Sequence, residues 1–312
     1  MLIDAIMDRF RESFGDEFQA DEPVAKYTTA GLGGPADMLV TVRTVPELVE
    51  VVTLARRQSI VYWVLGSGSN VLVSDAGMRG LVIRNRATGV SFWHNGSGVV
   101  MRAESGANLS GLARQCTSRG LGGLEWSVGI PGTVGGAVVG NAGAHGGDTA
   151  GSLRRVTILD TDLEARDYTP ADMGYGYRSS ALKLAHKGRG DSGRVVLAAD
   201  FHLKSAPVEE LEVAVKAILE QRQQSQPPGS SMGCMFKNPP GDHAGRLIDQ
   251  AGLKGSRVGG AEVSPVHANF FVTQPGATAE DVRKLMARVW HAVHDRFGVE
   301  LEPEVELIGE WN

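Results

Sequence analysis

The sequence contains little cysteine and no long apolar run. Its two cysteines, Cys116 and Cys234, cannot form a disulfide framework and suit a reducing compartment. The N-terminal segment 1–18 has apolar residues at helical spacing, but charges interrupt it every few residues, so it predicts neither a signal peptide nor a membrane span. We therefore expect a cytoplasmic protein without membrane contact.

Positive charge is not concentrated anywhere in the sequence. The 31 Lys and Arg residues form no basic block among 36 Asp and Glu, and the formal net charge is -5. The sequence therefore lacks the clustered positive charge that is typical of a nucleic-acid-binding protein. The eight histidines show no metal-ligand spacing beside an acid, except His291 and His294, which we interpret as surface residues of a helix. We expect no nucleic-acid partner, no metal, and a monomer or weak oligomer.

Glycine, by contrast, is abundant: the chain has 41 glycine residues, and they are most crowded at 66–68, 120–147 and 229–260. Elsewhere, strand-like and helix-like apolar patterns alternate along a chain long enough for two or three domains. These patterns predict an α+β fold with strands at 38–42, 72–75, 80–85, 89–94, 98–106, 153–160, 195–203, 268–273 and 300–310, and one more strand directly before the glycine loop at 66–70. They predict helices from Pro46 and at 107–119, 207–224, 244–252 and 278–297.

The first glycine loop, GSGSN at 66–70, follows a predicted strand. Its amides and hydroxyls can converge on an anion, but a simple connecting turn explains the loop equally well. The loop lacks the G-x-G-x-x-G spacing of a Rossmann fingerprint, and the chain has no P-loop Gly-Lys-Ser/Thr. Any nucleotide bound here uses another architecture.

The second stretch, GIPGTVGGA at 129–137 with NAG at 141–143, exposes far more backbone than a structural loop needs. Two such loops, separated by strands and one helix, suit a long dinucleotide lying between two α/β lobes.

Six motifs together resemble known flavoproteins. TTAGLGG, GSGSN and GIPGTVGGA, in this order, are similar to the FAD-binding domain of vanillyl-alcohol-oxidase-type (PCMH) proteins. YGYRSS, GCMFKNP and LEPEVELIG narrow the resemblance to the UDP-N-acetylenolpyruvoylglucosamine reductase family, over about residues 27 to 309. It implies a two-lobed FAD domain at 1–205 (lobes 20–85 and 86–205) and a substrate domain at 206–312, whose final strand returns to the first lobe. The short span between Arg178 and Cys234 indicates the shorter subtype, which has no lid insertion.

The resemblance also implies a reaction of peptidoglycan precursor biosynthesis. NADPH reduces a non-covalently bound FAD, and the reduced flavin converts UDP-N-acetylglucosamine enolpyruvate to UDP-N-acetylmuramate. The implied FAD-binding residues are Gly66, Ser67, Gly68, Ser69, Asn70, Gly129, Ile130, Pro131, Gly132, Thr133, Gly135, Gly136, Ala142 and Gly143.

Three residues match the family's catalytic positions. Arg178 would bind the carboxylate that gains charge, and Glu304 would steady the enol-like intermediate. Cys234 stands where the family usually has a proton-donating serine, and a cation such as Lys237 beside it would favour the thiolate. Without the resemblance, Arg178 reads as a surface arginine, Cys234 as a small buried hydrophobe, and the acids at 302, 304 and 306 as one solvated strand face.

The implied substrate contacts are Tyr177, Lys237, Asn238, His267, Asn269 and His145. His145 replaces a tyrosine found in many relatives, and a satisfied core histidine explains His267 nearly as well. Two other functions stay open: another FAD-dependent oxidase or dehydrogenase of the same flavin fold, and a nucleotide-binding module without turnover.

Overall fold

A computed structural model describes residues 2–96, 98–186 and 193–311. The chain forms two compact units, each assembled from three segments. Unit 1 comprises Met1–Ala20, Met38–Gly66 and Gly80–Gln221, and unit 2 comprises Asp21–Asp37, Ser67–Arg79 and Arg222–Asn312. The units therefore interleave along the sequence, whereas the predicted domains at 1–205 and 206–312 are contiguous.

Helices and strands are mixed throughout, which confirms the α+β class. The helices are α1 (Leu2–Phe14), α2 (Val45–Arg57), α3 (Leu109–Thr117), α4 (Val134–Gly140), α5 (Thr149–Ser152), α6 (Ala181–His186), α7 (Val208–Ser225), α8 (Ala244–Gln250) and α9 (Ala279–Phe297). The strands are β1 (Phe18–Pro23), β2 (Pro35–Val42), β3 (Tyr62–Leu65), β4 (Val71–Val73), β5 (Met78–Asn85), β6 (Val90–His94), β7 (Val99–Glu104), β8 (Leu121–Gly122), β9 (Gly143–Ala144), β10 (Gly147–Asp148), β11 (Leu153–Leu159), β12 (Ala165–Tyr168), β13 (Val195–Ser205), β14 (Arg257–Val258), β15 (Ala261–Val263), β16 (Phe271–Thr273) and β17 (Glu306–Ile308).

Unit 1 is built around two sheets. A four-stranded sheet has the order β1-β2-β5-β3, with β3 and β5 parallel. An antiparallel sheet has the order β12-β11-β13-β7-β6, and β8 pairs with β13. Central strand β13 is buried from Val195 to Phe201, as expected for a strand covered on both faces. Helices α3 and α4 share one apolar core with this second sheet.

Unit 2 has its core around α8 and α9. The apolar stripe of α9 includes Val282, Leu285, Val289 and Val293, all with 0% exposure. Burying each of these side chains stabilises the fold by about 1.5–3 kcal/mol. In the same unit, β17 pairs in parallel with β4, so the end of the chain joins a strand from within the predicted lobe 20–85.

Two local predictions were wrong, and several short elements, among them β1, β12 and α6, were not predicted from the sequence. Residues 134–140, expected to be glycine loop, form α4. Glycine lowers helix propensity, but the Thr133 hydroxyl accepts a hydrogen bond from Gly136 N, and Val134, Ala137 and Val138 are buried. The final strand covers only Glu306–Ile308, because a bridge at Pro303 and a bend at Val305 interrupt the expected alternation.

No helix among the described residues is both long and apolar enough to cross a bilayer.

Candidate functional site

A cavity of about 560 Å³ opens within unit 1. Its size lies in the usual range for small-molecule sites. Its lining residues are Asn141, Gly143, Ala144, His145, Gly146, Gly147, Asp148, Gly151, Ser152, Tyr177 and Arg178. Gly143, His145, Tyr177 and Arg178, which the sequence analysis selected separately, therefore lie around one cavity.

Arg178 is the second residue at the tip of a tight turn. Gly176 and Ser179 exchange backbone hydrogen bonds of 3.1 and 3.2 Å, so Tyr177 and Arg178 form the tip. Arg178 has φ of 53°, in the left-handed region that L residues rarely adopt, and its guanidinium carbon lies 5.6 Å from the Tyr177 ring centroid. Backbone strain of this kind often accompanies functional sites.

Two side chains hold this turn to the end of α4. Asn141 Nδ2 donates to Gly176 O at 3.0 Å, and Ser180 Oγ donates to Val139 O at 2.6 Å. Both Asn141 and Ser180 are buried. Because α4 begins at the predicted FAD-binding stretch, one short helix connects that stretch to the Arg178 turn.

Asp148 also contacts the side chain of Asn141. Its carboxylate accepts from Asn141 Nδ2 at 3.3 Å and from Gly151 N at 2.8 Å. Burial, and secondarily the charge of Asp148, raises the pKa of the neighbouring Tyr175 hydroxyl. Tyr175 is therefore a neutral phenol at physiological pH. The sequence analysis selected neither Asn141 nor Asp148 as a site residue.

The predicted FAD-binding residues of unit 1 pack closely against each other. A Cβ on Gly66 would lie 2.4 Å from Thr133 Oγ1, so only glycine permits this approach between the ends of the two glycine loops. Several amides there already have protein acceptors: Gly129 N donates to Ser110 Oγ, Gly135 N to Ser105 O. These two amides therefore stabilise the loop itself.

Residues 67–70 lie in unit 2, where Gly68 has φ of 61°. Asn70 connects this loop to the C-terminal segment: its Nδ2 donates to Glu304 O at 3.2 Å, and its carbonyl accepts from Glu306 N at 3.0 Å. Glu304 N in turn donates to Met235 O at 2.9 Å, which brings Glu304 beside the Cys234 loop.

Cys234 lies on a half-buried loop of unit 2 and forms a β-bridge with Phe270. Adjacent backbone bonds fix the loop: Met235 N donates to Asn269 O, and Lys237 N donates to Glu302 O, both at 2.8 Å. Unit 2 therefore brings Cys234 and Glu304 together on hydrogen-bonded segments, while Arg178 belongs to unit 1.

The predicted substrate contacts near Cys234 have partners within the protein. Lys237 Nζ binds Glu302 Oε1 at 2.7 Å, and Asn238 Oδ1 accepts from Ala244 N at the start of α8. Asn269 is 2% exposed and bonds to both the N–H and the carbonyl of Phe236, at 3.0 and 2.7 Å. Asn269 thus supports the shape of the Cys234 loop.

His267 behaves as a packed histidine. Its Nδ1 accepts from Asn269 N at 3.2 Å, and its ring lies edge-on to Phe270 with 4.8 Å between centroids. Burial, helped by the charge of Lys254, lowers the pKa of His267, although its own backbone opposes the shift. The neutral imidazole therefore fits the structural interpretation that the sequence left open.

Arg222, at the end of α7, is the cation that the sequence analysis overlooked. Burial lowers the pKa of Arg222, and its charge interaction with Cys234 acts in the opposite direction. Arg222 is four residues after Ile218 on the partly buried stripe of α7, an unusual position for a charge. A charged residue at this position of an apolar stripe is the sequence signal that could have identified Arg222. Arg222 is therefore an alternative to Lys237 as the cation that interacts with the Cys234 thiol.

The residues that the structure describes include no group of three or more His, Cys, Asp or Glu side chains placed to bind a metal ion. His294 stacks on Trp290 at 5.1 Å, and His291 is exposed.

Two family models match the chain: an FAD binding domain over residues 36–162, and the C-terminal domain of UDP-N-acetylenolpyruvoylglucosamine reductase over residues 223–308. UDP-N-acetylenolpyruvoylglucosamine reductase 2 of Symbiobacterium thermophilum is 45% identical over 289 residues, which cover 92% of this chain and 91% of the relative. The chain belongs to the UDP-N-acetylenolpyruvoylglucosamine reductase family.

Further relatives agree with this assignment. The reductase of Rubrobacter xylanophilus is 45% identical over 292 residues, covering 93% of this chain and 95% of that protein. The crystal structure of the reductase from Thermus caldophilus superposes with a TM-score of 0.77 and 38% identity, covering 92% of this chain and 97% of that one. The resemblance inferred from the motifs is confirmed, and the chain is an FAD-dependent oxidoreductase.

The residues of unit 1 fit a flavin. Five of the residues that line the cavity are glycine or alanine, whose small size would leave room for a planar ring, and His145 and Arg178 are among its polar lining residues.

Proposed function

We propose that this chain uses NADPH to reduce UDP-N-acetylglucosamine enolpyruvate to UDP-N-acetylmuramate in the cytoplasm. The observation that carries the proposal is Arg178, held in a left-handed turn at the edge of a cavity lined by small residues. A guanidinium fixed there suits a carboxylate that gains charge during reduction.

FAD, when bound, supplies the hydride for this reduction. We propose that the glycine-loop residues predicted above hold it without a covalent bond, since no His or Cys of the chain is singled out for flavin attachment. Acid precipitation of the purified protein should then release the flavin into the supernatant, and flavin that stays with the thoroughly denatured pellet contradicts the proposal.

Arg178 would bind the substrate carboxylate through its two-pronged guanidinium. The charge that develops on the α carbon and carboxylate would then be stabilised by a cation that is already in place. Tyr177, which is 56% exposed beside it, and His145 would contact the same substrate.

Cys234 would donate the proton to the α carbon. A thiol has an ordinary pKa of about 8.5, so it is mostly protonated near neutral pH and is a far stronger acid than the serine hydroxyl usual in the family. Glu304, on the segment bonded to the Cys234 loop, would steady the enol-like intermediate before the proton arrives.

The decisive experiment measures NADPH consumption by the purified protein with and without the enolpyruvyl UDP-sugar. Rapid consumption only when the substrate is present, with the lactyl ether as product, supports the proposal. A yellow protein that NADPH reduces but the UDP-sugar does not reoxidise indicates another oxidoreductase of the flavin fold. A colourless protein that binds UDP-sugar without turnover indicates a binding module.

A further inference from the structure

We propose that Asn141 is the positioning residue for Arg178. The proposal rests on the function given above for Arg178. Asn141 itself lies at the end of α4, is 5% exposed, and adopts a left-handed φ of 44°, which Asn tolerates better than most residues.

The side-chain amide of Asn141 makes three hydrogen bonds in three directions. Its Nδ2 donates to Gly176 O at 3.0 Å and to Asp148 Oδ2 at 3.3 Å, and its Oδ1 accepts from Ala150 N at 3.0 Å. Ala150 N can only donate, so the orientation of the amide is determined by its surroundings. Asn141 thus connects the Arg178 turn to the 143–151 wall of the cavity.

The bond to Gly176 is the one that matters for Arg178. Gly176 begins the two-residue turn, and its carbonyl accepts both from Asn141 Nδ2 and from Ser179 N. The bond to Asp148 instead holds the cavity wall. Substitutions can therefore remove the two bonds separately.

The first test uses ligand-free protein and does not depend on reductase activity. Asn141→Gly keeps the left-handed backbone but removes all three side-chain bonds, so the turn should open more often. Trypsin cleavage after Arg178, followed by mass spectrometry, should be at least several-fold faster than in the parent, because cleavage follows the population of the open form. Parental cleavage overturns the proposal.

The matched control is Asn85→Asp. Asn85 is 3% exposed in the same unit, and its amide bonds to Ser105 Oγ and Ala87 N. This variant should lower the melting temperature without faster cleavage after Arg178 and without slower reoxidation of the flavin by substrate. If Asn85→Asp accelerates cleavage as much as Asn141→Gly does, the effect is general loosening and the proposal fails.

The second test removes the bond to Gly176 O but keeps a bond between positions 141 and 148, by exchanging the side chains of Asn141 and Asp148. In the double variant N141D/D148N, Asn at 148 donates to Asp at 141 and still accepts from Gly151 N, so the cavity wall keeps its bond. A carboxylate at 141 cannot donate to Gly176 O. We expect near-parental melting and parental flavin reduction by NADPH, with reoxidation by the enolpyruvyl substrate on the order of 10²-fold slower. Parental reoxidation in this variant overturns the proposal.

The pH profile of the single variant Asn141→Asp gives a signature that a purely structural role lacks. The carboxylate at position 141 faces Asp148 and Gly176 O. Repulsion between two neighbouring carboxylates raises the pKa at which the pair takes up its first proton above that of an isolated carboxylate. Reoxidation should recover as pH falls, because the protonated acid can donate to Gly176 again. The other titratable groups that line the cavity are His145, Tyr177 and Arg178, and Tyr175 lies near Asp148; parent protein over the same pH range corrects for them. No recovery at low pH, with the fold intact, counts against the proposal.

Failure of the proposed function can be distinguished from failure of the proposal for Asn141. If the parent protein is not reoxidised by the enolpyruvyl sugar, the trypsin test still decides whether Asn141 holds the turn.

Discussion

The Arg178 turn and the Cys234 loop are held in place by different kinds of bond. The Arg178 turn depends on two side chains, Asn141 and Ser180, and on a strained backbone. The Cys234 loop is fixed by backbone bonds to residues 269, 302 and 304, with Asn269 as its side-chain support. A backbone-fixed loop tolerates a change of side chain, which agrees with a cysteine at the position where the family resemblance predicts serine. The Arg178 turn should be more sensitive to substitution around it.

The largest effect is expected at Cys234 itself. Cys234→Ala should slow reoxidation of reduced flavin by roughly 10²–10⁴, the usual contribution of a positioned proton donor. Cys234→Ser should keep substantial activity, because the backbone bonds place either side chain alike. Rapid mixing separates the two half-reactions, and NADPH reduction of the flavin should be unchanged in both variants. If Cys234→Ala reoxidises as fast as the parent, the donor is another group.

Arg178→Lys should lower turnover by roughly 10²–10³ while leaving the flavin content unchanged. Lysine keeps the charge but loses the fork that binds both carboxylate oxygens. Steady-state kinetics at saturating substrate, with flavin absorbance per protein as the control, measure the effect. Unchanged turnover would remove Arg178 from the mechanism.

Asn269→Ala should reduce the free energy of unfolding by about 1–3 kcal/mol, since it leaves the buried N–H and carbonyl of Phe236 without their bonds. Ser180→Ala is the matched change at the Arg178 turn: it removes the bond to Val139 O and the acceptor of Lys183 N, and should cost about 1–2 kcal/mol. Denaturant unfolding compares them. A larger stability loss in Ser180→Ala would contradict the prediction that Asn269 is the stronger side-chain support of the two.

Arg222→Gln should slow alkylation of Cys234 by iodoacetamide several-fold near neutral pH, because the lost positive charge no longer favours the thiolate. Burial raises the pKa of the Cys116 thiol to about 12, so the labelling rate reports Cys234. Lys237→Gln is the comparison, since Lys237 Nζ is already paired with Glu302. A larger effect from Lys237→Gln would return that role to Lys237.

The smallest effect concerns pH and His267. Because burial lowers its pKa in the folded state, the unfolded chain binds the proton more readily. The contribution of His267 to stability is present above the unfolded pKa of about 6.5 and is lost as pH falls through the lower folded pKa. His267→Gln should therefore flatten the decline in stability just below pH 6.5. An unchanged slope in denaturant titrations would show that another group causes it.

The sequence by itself determined the α+β class, most helices and strands, and the family, because apolar periodicity and short motifs are local properties. It also selected Arg178, Cys234, Glu304 and His145 by motif, although their roles stay predictions. Helix α4 escaped prediction because its glycines conceal the capping by Thr133 and the burial that stabilise it.

Tertiary structure alone decided which residues support the selected ones. Asn141 and Gly176 are 35 residues apart, and Asn269 and Phe236 are 33 apart, so no local pattern could pair them. Arg222 meets the charge of Cys234 only because α7 ends near that loop. The interleaved units have the same origin: parallel pairing of β17 with β4 joins distant segments, and such pairing depends on packing of the whole chain.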